Sequence, residues 1–293
     1  MESFMSLALP IAVAAFFFIA AVVFGTLSLC RYRGKRKVQA RYGTPSALYD
    51  REEEEAPVIP RFLHRIWIGP RVFPPYRDLR WIRSFDTVND DFKTIVWKDT
   101  DVKRLIDERF PEFAALYRGY RLNIQRADLA RYLVLYEYGG MYADLDMSAV
   151  RPVRELLVDR PDKHFFCFVE IVLGPARARE IGEGEPIRQK GKKMGFNEIP
   201  EDTERIASYA FCCTPHHPVM GEILKEAARR SAFPVRRQYD VFYTTGPDLF
   251  TSVIHRCRTD HEDLAVIEKS RADGFLLHHG SATWKTFVNF GFR

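Results

Sequence analysis

Hydrophobic and polar positions divide the chain into two unlike parts. From Ser3 to Cys30 no side chain is charged. As a helix rising 1.5 Å per residue, residues 7–29 alone reach roughly 35 Å, enough to cross the hydrocarbon core of a bilayer. Pro10 falls in the first turns, where a helix tolerates it. A cleaved signal peptide has a basic leading segment and a shorter apolar core. Here only Glu2 precedes the apolar run, and the basic residues follow it. The pattern predicts one uncleaved transmembrane helix over residues 4–30 and a charged juxtamembrane linker over 31–56.

Beyond residue 57, short apolar runs alternate with longer helical patterns. Residues 62–68, 92–97, 141–144, 164–169, 208–214, 264–268 and 274–278 read as strands. Residues 76–88, 123–138, 218–230 and 247–258 read as helices, with another from a cap at Asp99 or Thr100 to about Phe110 and a short one after Pro152. Gly139-Gly140 stops the helix over 123–138. Strands alternating with helices predict one α/β domain over 57–293 with a mainly parallel central sheet. Residues 174–204, rich in Gly, Pro and charge, are expected to form a long loop or insert.

Charge sharpens this division. The formal net charge is +5, from 44 Lys+Arg and 39 Asp+Glu. Six of those bases (Arg31, Arg33, Lys35, Arg36, Lys37, Arg41) and one acid (Glu2) lie in residues 1–41, which leaves 38 of each sign in the remainder. The folded part is therefore neutral overall, and its bulk composition gives no sign of a nucleic-acid partner. The basic strip lies C-terminal to the apolar run, so the positive-inside rule predicts a single-pass membrane protein with its domain in the cytoplasm. The strip also suits anionic headgroups, at about 1 kcal/mol per basic residue. Cys30, Cys167, Cys212, Cys213 and Cys257 are odd in number and show no metal-type spacing. Cys167, Cys212 and Cys213 lie in apolar runs and read as small buried hydrophobes.

The candidate chemistry lies in residues 125–146, QRADLARYLVLYEYGGMYADLD. From Ala127 to Tyr138 the helix is apolar almost all round and should be buried. Asp128 and Arg131 interrupt it at i, i+3; in a buried helix such charges are either a structural ion pair or part of a site. Asp144 and Asp146 follow at the end of a strand. Residues two apart in extended chain point the same way, so both carboxylates can approach one cation. Hard divalent ions such as Mg²⁺ or Mn²⁺ take oxygen ligands and bridge carboxylates to diphosphates. No GxGxxG follows a strand, and neither a P-loop nor a GxSxG elbow occurs.

These residues together resemble the DXD-containing glycosyltransferase family 32, which includes mannosyltransferases and inositol phosphorylceramide mannosyltransferases. Residues 59–69 (IPRFLHRIWIG), 245–251 (TGPDLFT) and 278–284 (HHGSATW) are similar to further motifs of that family. The resemblance covers about 57–285. It implies a GT-A fold, a nucleotide-sugar donor and Mn²⁺ or Mg²⁺. It implies that Asp146 binds the metal, with Asp144 contacting the ribose or sugar and the metal through water. Asp128 and Arg131 would hold sugar hydroxyls, Trp67 would stack on the base and Trp284 would reach the diphosphate. His279, or less favourably His278, would be another metal ligand. Each aromatic or imidazole residue also has a plain core-packing reading. GDP-mannose is the implied donor, with UDP-glucose and UDP-galactose as alternatives. The reaction implied is hexose transfer with retention to a glycolipid or glycan. Eukaryotic relatives work in the Golgi lumen, which conflicts with the cytoplasmic domain that the charge asymmetry predicts. Two other readings compete. One is a haloacid-dehalogenase-like phosphatase, which should add a Gly-Asp-x-x-x-Asp motif not found after residue 148. The other is an inactive membrane protein that binds nucleotide sugars.

Overall fold

The computed structural model describes residues 42–49, 59–69, 79–172, 188–189, 192–193, 204–236 and 238–280. The expected membrane helix over 4–30, the basic strip, most of the insert over 174–204 and Trp284 lie outside the described residues. Among the described residues, no helix is long and apolar enough to cross a membrane.

Strand and helix alternate as the pattern requires. In chain order the principal elements are β1 (Phe62–Trp67), α1 (Leu79–Val88), β2 (Lys93–Lys98), α2 (Asp99–Arg109), α3 (Ala114–Gly119), α4 (Asn123–Tyr138), β3 (Gly140–Ala143) and β4 (Met147–Ala149). There follow α5 (Arg154–Asp159), β5 (Phe165–Val172), β6 (Glu204–Cys213), α6 (Pro218–Arg230), α7 (Gln238–Thr244), α8 (Pro247–Cys257), β7 (Leu264–Ile267), α9 (Lys269–Asp273) and β8 (Leu276–His278). Six strands form one sheet in the order β2-β1-β3-β6-β5-β7. β6 alone runs antiparallel to its two neighbours, and the other pairings are parallel. β8 and β4 form a separate antiparallel pair. The mainly parallel α/β expectation holds, with one reversed strand.

Two apolar layers sandwich this sheet. On one face Leu129, Leu133 and Val134 of α4, Ile223 of α6 and Phe250 of α8 pack with Phe165 and Phe211. On the other, Phe85 of α1 and Met147 of β4 pack with Met141, Phe166 and Ala210. α4 is buried on nearly every side, as its apolar circumference predicts. Cys167, Cys212 and Cys213 are buried free thiols, as expected, and Cys257 joins them.

Several boundaries differ. The first residue of α2 is Asp99, so neither Asp99 nor Thr100 is its cap. Lys98 holds that position, and its backbone N–H donates to Asp101 Oδ2 at 2.9 Å. Glu204 opens β6 earlier than the apolar run suggests, because the strand starts with part-exposed polar residues. α3, α7, α9 and β4 are short, and the sequence pattern did not single them out. Nor does order begin at residue 57. Gly43 bridges in parallel to Ile95 beside β2, and Tyr42 and Leu48 are buried. Part of the expected linker therefore belongs to the folded unit.

The chain passes from α4 into β3 without a loop, which sets the position of everything downstream. Gly139 (φ 58°) and Gly140 (φ 89°) make that turn. A Cβ on Gly139 would lie 2.6 Å from Pro215, and one on Gly140 would lie 2.7 Å from the Phe62 carbonyl. Only glycine provides both the backbone angle and the clearance.

Candidate active site

β3 ends at Ala143 among the C-terminal ends of the parallel strands, the edge where α/β sheets bind ligands. Asp144 follows. Its backbone N–H donates to the Tyr209 carbonyl at 2.8 Å, which carries the pairing with β6 one residue past the strand. The chain then turns into β4, and β4 pairs with β8 so that Met147 faces His278. A histidine far along the sequence is thereby set beside Asp146.

Asp144, Asp146 and His278 form one cluster whose potential ligand atoms lie within 4.8 Å of one another. His278 Nε2 is 3.5 Å from Asp146 Oδ1. Two carboxylates and one imidazole are a donor set suited to a hard-to-intermediate divalent ion such as Mn²⁺, and the residues present fit that group. His279, the histidine favoured from the family resemblance, goes elsewhere. Its Nε2 lies 2.8 Å from Ser148 Oγ, and its ring stacks on Trp81 with centroids 4.3 Å apart and planes 7° from parallel. The backbone N–H of His279 donates to the Asp146 carbonyl at 3.0 Å, while it is the His278 side chain that approaches the Asp146 carboxylate.

Behind the cluster lies a buried ion network. Asp128 and Arg131 are each about 3% exposed. Arg131 Nη2 is 2.6 Å from Asp128 Oδ1, and its Nη1 is 3.4 Å from Asp144 Oδ1. Nη1 also donates to the Ser208 carbonyl at 2.7 Å. The Thr245 hydroxyl donates to Asp128 Oδ2 at 2.8 Å, and the Tyr142 hydroxyl donates to Asp144 Oδ1. The Arg131 guanidinium lies over the Tyr142 ring at 4.7 Å. Asp128 and Arg131 are therefore a structural ion pair and a support for Asp144 at once.

Burial and charge oppose each other here. Burial pushes the Asp128 carboxyl up to about 6, with Arg131 and the Thr245 hydroxyl restraining the rise. Burial also raises Asp144; Arg131 resists this, and the nearby Asp146 charge adds to it. Burial alone would lower Arg131, but the neighbouring Asp144 and Asp128 carboxylates and the Tyr142 phenol hold it above its ordinary value. Burial likewise opposes protonation of His278, and Asp146 and Asp144 outweigh it.

Trp67 is half-buried at the end of β1. Trp67 and Leu145 pack against the same small cluster of Tyr42, Ile82 and Val96, which places the indole at the edge of the sheet that carries the acidic pair. Several supporting residues were not singled out from sequence. Tyr142 stands two positions before Asp144 on one strand, so simple alternation points its hydroxyl the same way. Arg65 is fully buried and donates to the Ala143 carbonyl at 3.1 Å and to the Asp144 carbonyl. Ser208, Tyr209, Ser148 and Trp81 gave no local signal, because their roles depend on strand pairing.

Residues 75–162, which contain both the Asp128–Arg131 pair and the Asp144–Asp146 pair, match the family model described as the glycosyltransferase sugar-binding region containing the DXD motif. In this region the chain is similar to the DXD glycosyltransferases. Inositol phosphoceramide mannosyltransferase 3 of Schizosaccharomyces pombe is 31% identical over 201 residues, covering 68% of this chain and 46% of the yeast protein. Inositol phosphoceramide mannosyltransferase 2 of the same organism is 37% identical over 101 residues, covering 34% and 29%. The chain thus spans less than half the length of these curated relatives. Among solved structures, the PaToxG glycosyltransferase aligns with a TM-score of 0.42 at 16% identity over 68% of each chain. The family match replaces the phosphatase reading of the acidic pair.

Proposed function

We propose that this protein is a metal-dependent, GT-A-type hexosyltransferase that moves mannose from GDP-mannose, with retention, onto a glycolipid or glycan acceptor. One observation carries the reading. Asp144, Asp146 and His278 converge at the C-terminal edge of the sheet, held from behind by the Asp128–Arg131 pair. The mannose preference is supported by the names of the relatives. The apolar run and the basic strip favour a bilayer anchor over residues 4–30 with the domain on the cytoplasmic side.

Breaking a sugar–phosphate bond builds negative charge on the departing diphosphate. A bound Mn²⁺ or Mg²⁺ supplies Lewis-acid stabilisation of that charge. Asp144, Asp146 and His278 would hold it. Arg131 opposes the burial-driven rise of the Asp144 pKa and orients the carboxylate through Nη1, while Asp128 and Ser208 fix the guanidinium. The family resemblance assigns Trp67 to the base, Asp128 and Arg131 to sugar hydroxyls, and Trp284 to the diphosphate. The near-complete burial of Asp128 and Arg131 means that sugar reaches them only at the inner end of the site.

The test is nucleotide release by the purified full chain, with Mn²⁺ and a panel of sugar nucleotides, in the presence of glycolipid and glycan acceptors. GDP release from GDP-mannose is expected, and chelation should abolish it. Asp144→Asn and Asp146→Asn should each lower kcat by about 10²–10³-fold, the range for loss of one preorganised electrostatic group. Turnover surviving both changes overturns the metal site. Release from a UDP-sugar alone overturns the donor, and no release from any sugar nucleotide overturns the activity.

A further inference from the structure

The β5–β6 pairing is irregular beside the site. Cys167 pairs with Phe211, yet Val169 pairs with Ile206, so residues 207–210 of β6 lie opposite Phe168 alone. Bulges of this kind re-aim side chains and gather next to active sites. Two adjacent residues of this stretch bring three groups to the site. The Ser208 carbonyl accepts from Arg131 Nη1 at 2.7 Å. The Tyr209 carbonyl accepts from the Asp144 backbone N–H at 2.8 Å. The half-buried Tyr209 ring stacks on the His278 imidazole, with centroids 3.9 Å apart and planes at 26°.

We propose that Tyr209 is a positioning residue that sets the plane of the His278 ring so that its Nε2 can join Asp144 and Asp146 on one divalent cation. The role rests on the metal-dependent reading of the site. Metal-binding imidazoles are commonly oriented by a partner outside the ligand set. Here an aromatic face takes that part, and the main chain of the same residue tethers Asp144. One residue thus orients two of the three candidate ligands. His279, one position on, is held by Trp81 and Ser148 in the same manner but away from the carboxylates. The two stacks divide the double histidine between two environments. The stack needs a flat ring and makes no demand on the hydroxyl, so phenylalanine should replace tyrosine without loss and an aliphatic side chain should not.

The test is Mn²⁺ affinity of the full chain, read from the free-ion electron paramagnetic resonance signal without any turnover. His278→Ala should weaken binding by about 10–100-fold, and Tyr209→Leu by about 10-fold, within the range for orienting partners of metal ligands. Tyr209→Phe should bind within about 2-fold of wild type. In the His278→Ala background, Tyr209→Leu should cost nothing further, because the two changes act through one ring. If Tyr209→Leu does not fold, Tyr209→Met carries the same comparison. A wild-type chain that binds Mn²⁺ while the aliphatic variant binds it equally well overturns the role of Tyr209 alone. So does a loss that persists undiminished without His278. A wild-type chain that binds no divalent cation overturns the metal site and this role with it.

Discussion

Arg131 lies between Asp128 and Asp144, with Nη2 2.6 Å from one carboxylate and Nη1 3.4 Å from the other. A single guanidinium, about 3% exposed, serves as the counter-ion of the buried acid and as the back support of the first acid of the DXD pair. The planar fork of arginine makes this possible, since two donors leave it in fixed directions. Each residue also has a further partner on another element, Ser208 on β6 for Arg131 and Thr245 after α7 for Asp128.

Removing Arg131 should therefore damage folding and chemistry together, and the two can be separated. Arg131→Met leaves Asp128 buried and unpaired, which should cost about 3–5 kcal/mol of stability in urea unfolding. Combining it with Asp128→Leu removes the stranded charge and should restore much of that loss. Turnover should not return in the double variant, because Asp144 has still lost its support. Recovery of both stability and activity would mean that the pair is purely structural.

Tyr142→Phe isolates the hydroxyl that donates to Asp144 Oδ1. The ring remains, and so does the face beneath Arg131. The stability loss should be small, about 1 kcal/mol, the usual net worth of one hydrogen bond. The kcat should fall by about 10-fold as Asp144 gains rotational freedom. An unchanged kcat at saturating Mn²⁺ would show that Arg131 alone fixes the carboxylate.

The fold class and the acidic pair were legible in the sequence because both are written locally. The run from Ala127 to Tyr138, the Gly139-Gly140 stop and the i, i+2 spacing of Asp144 and Asp146 each act within a few residues. The partners of those acids were not legible. His278 reaches Asp146 only because β8 pairs with β4, and adjacent histidines cannot be told apart until that register is known. Ser208 and Tyr209 lie in an irregular stretch of β6, and their contacts follow from strand pairing that no pattern of apolar positions marks. Arg65, a charged residue inside a buried strand, and Tyr142, two positions before Asp144, were overlooked local signals: the first must find acceptors somewhere and the second points with the acid.

Gly139→Ala tests the turn that delivers β3. The backbone there has φ 58° and ψ −159°, a region that essentially only glycine occupies. A methyl group would also meet Pro215 at 2.6 Å, against ring and backbone atoms that cannot swing aside. A loss of about 1–3 kcal/mol is expected from the backbone strain alone, with the clash added to it. Thermal unfolding measures it, and a melting temperature equal to that of wild type would contradict the geometry.

The last prediction concerns pH. His64 is fully buried in β1. Trp97 Nε1–H donates to its Nδ1 at 3.0 Å, which leaves Nε2–H to donate to the Gly139 carbonyl at 3.0 Å. This is the neutral ring. Burial holds its pKa down at about 4, with the Gly139 carbonyl pulling weakly the other way. The unfolded chain protonates the same ring near 6.5. Between those values the unfolded state binds more protons, so stability falls as pH falls. No contribution arises above about pH 6.5, and the loss is complete near pH 4, on the order of 3 kcal/mol in all. His64→Asn will be less stable at neutral pH but lacks this titration. The stability difference between wild type and variant should therefore shrink steadily as pH is lowered from 6.5 to 4. A difference that stays flat across that window would mean that His64 is not held neutral between Trp97 and Gly139.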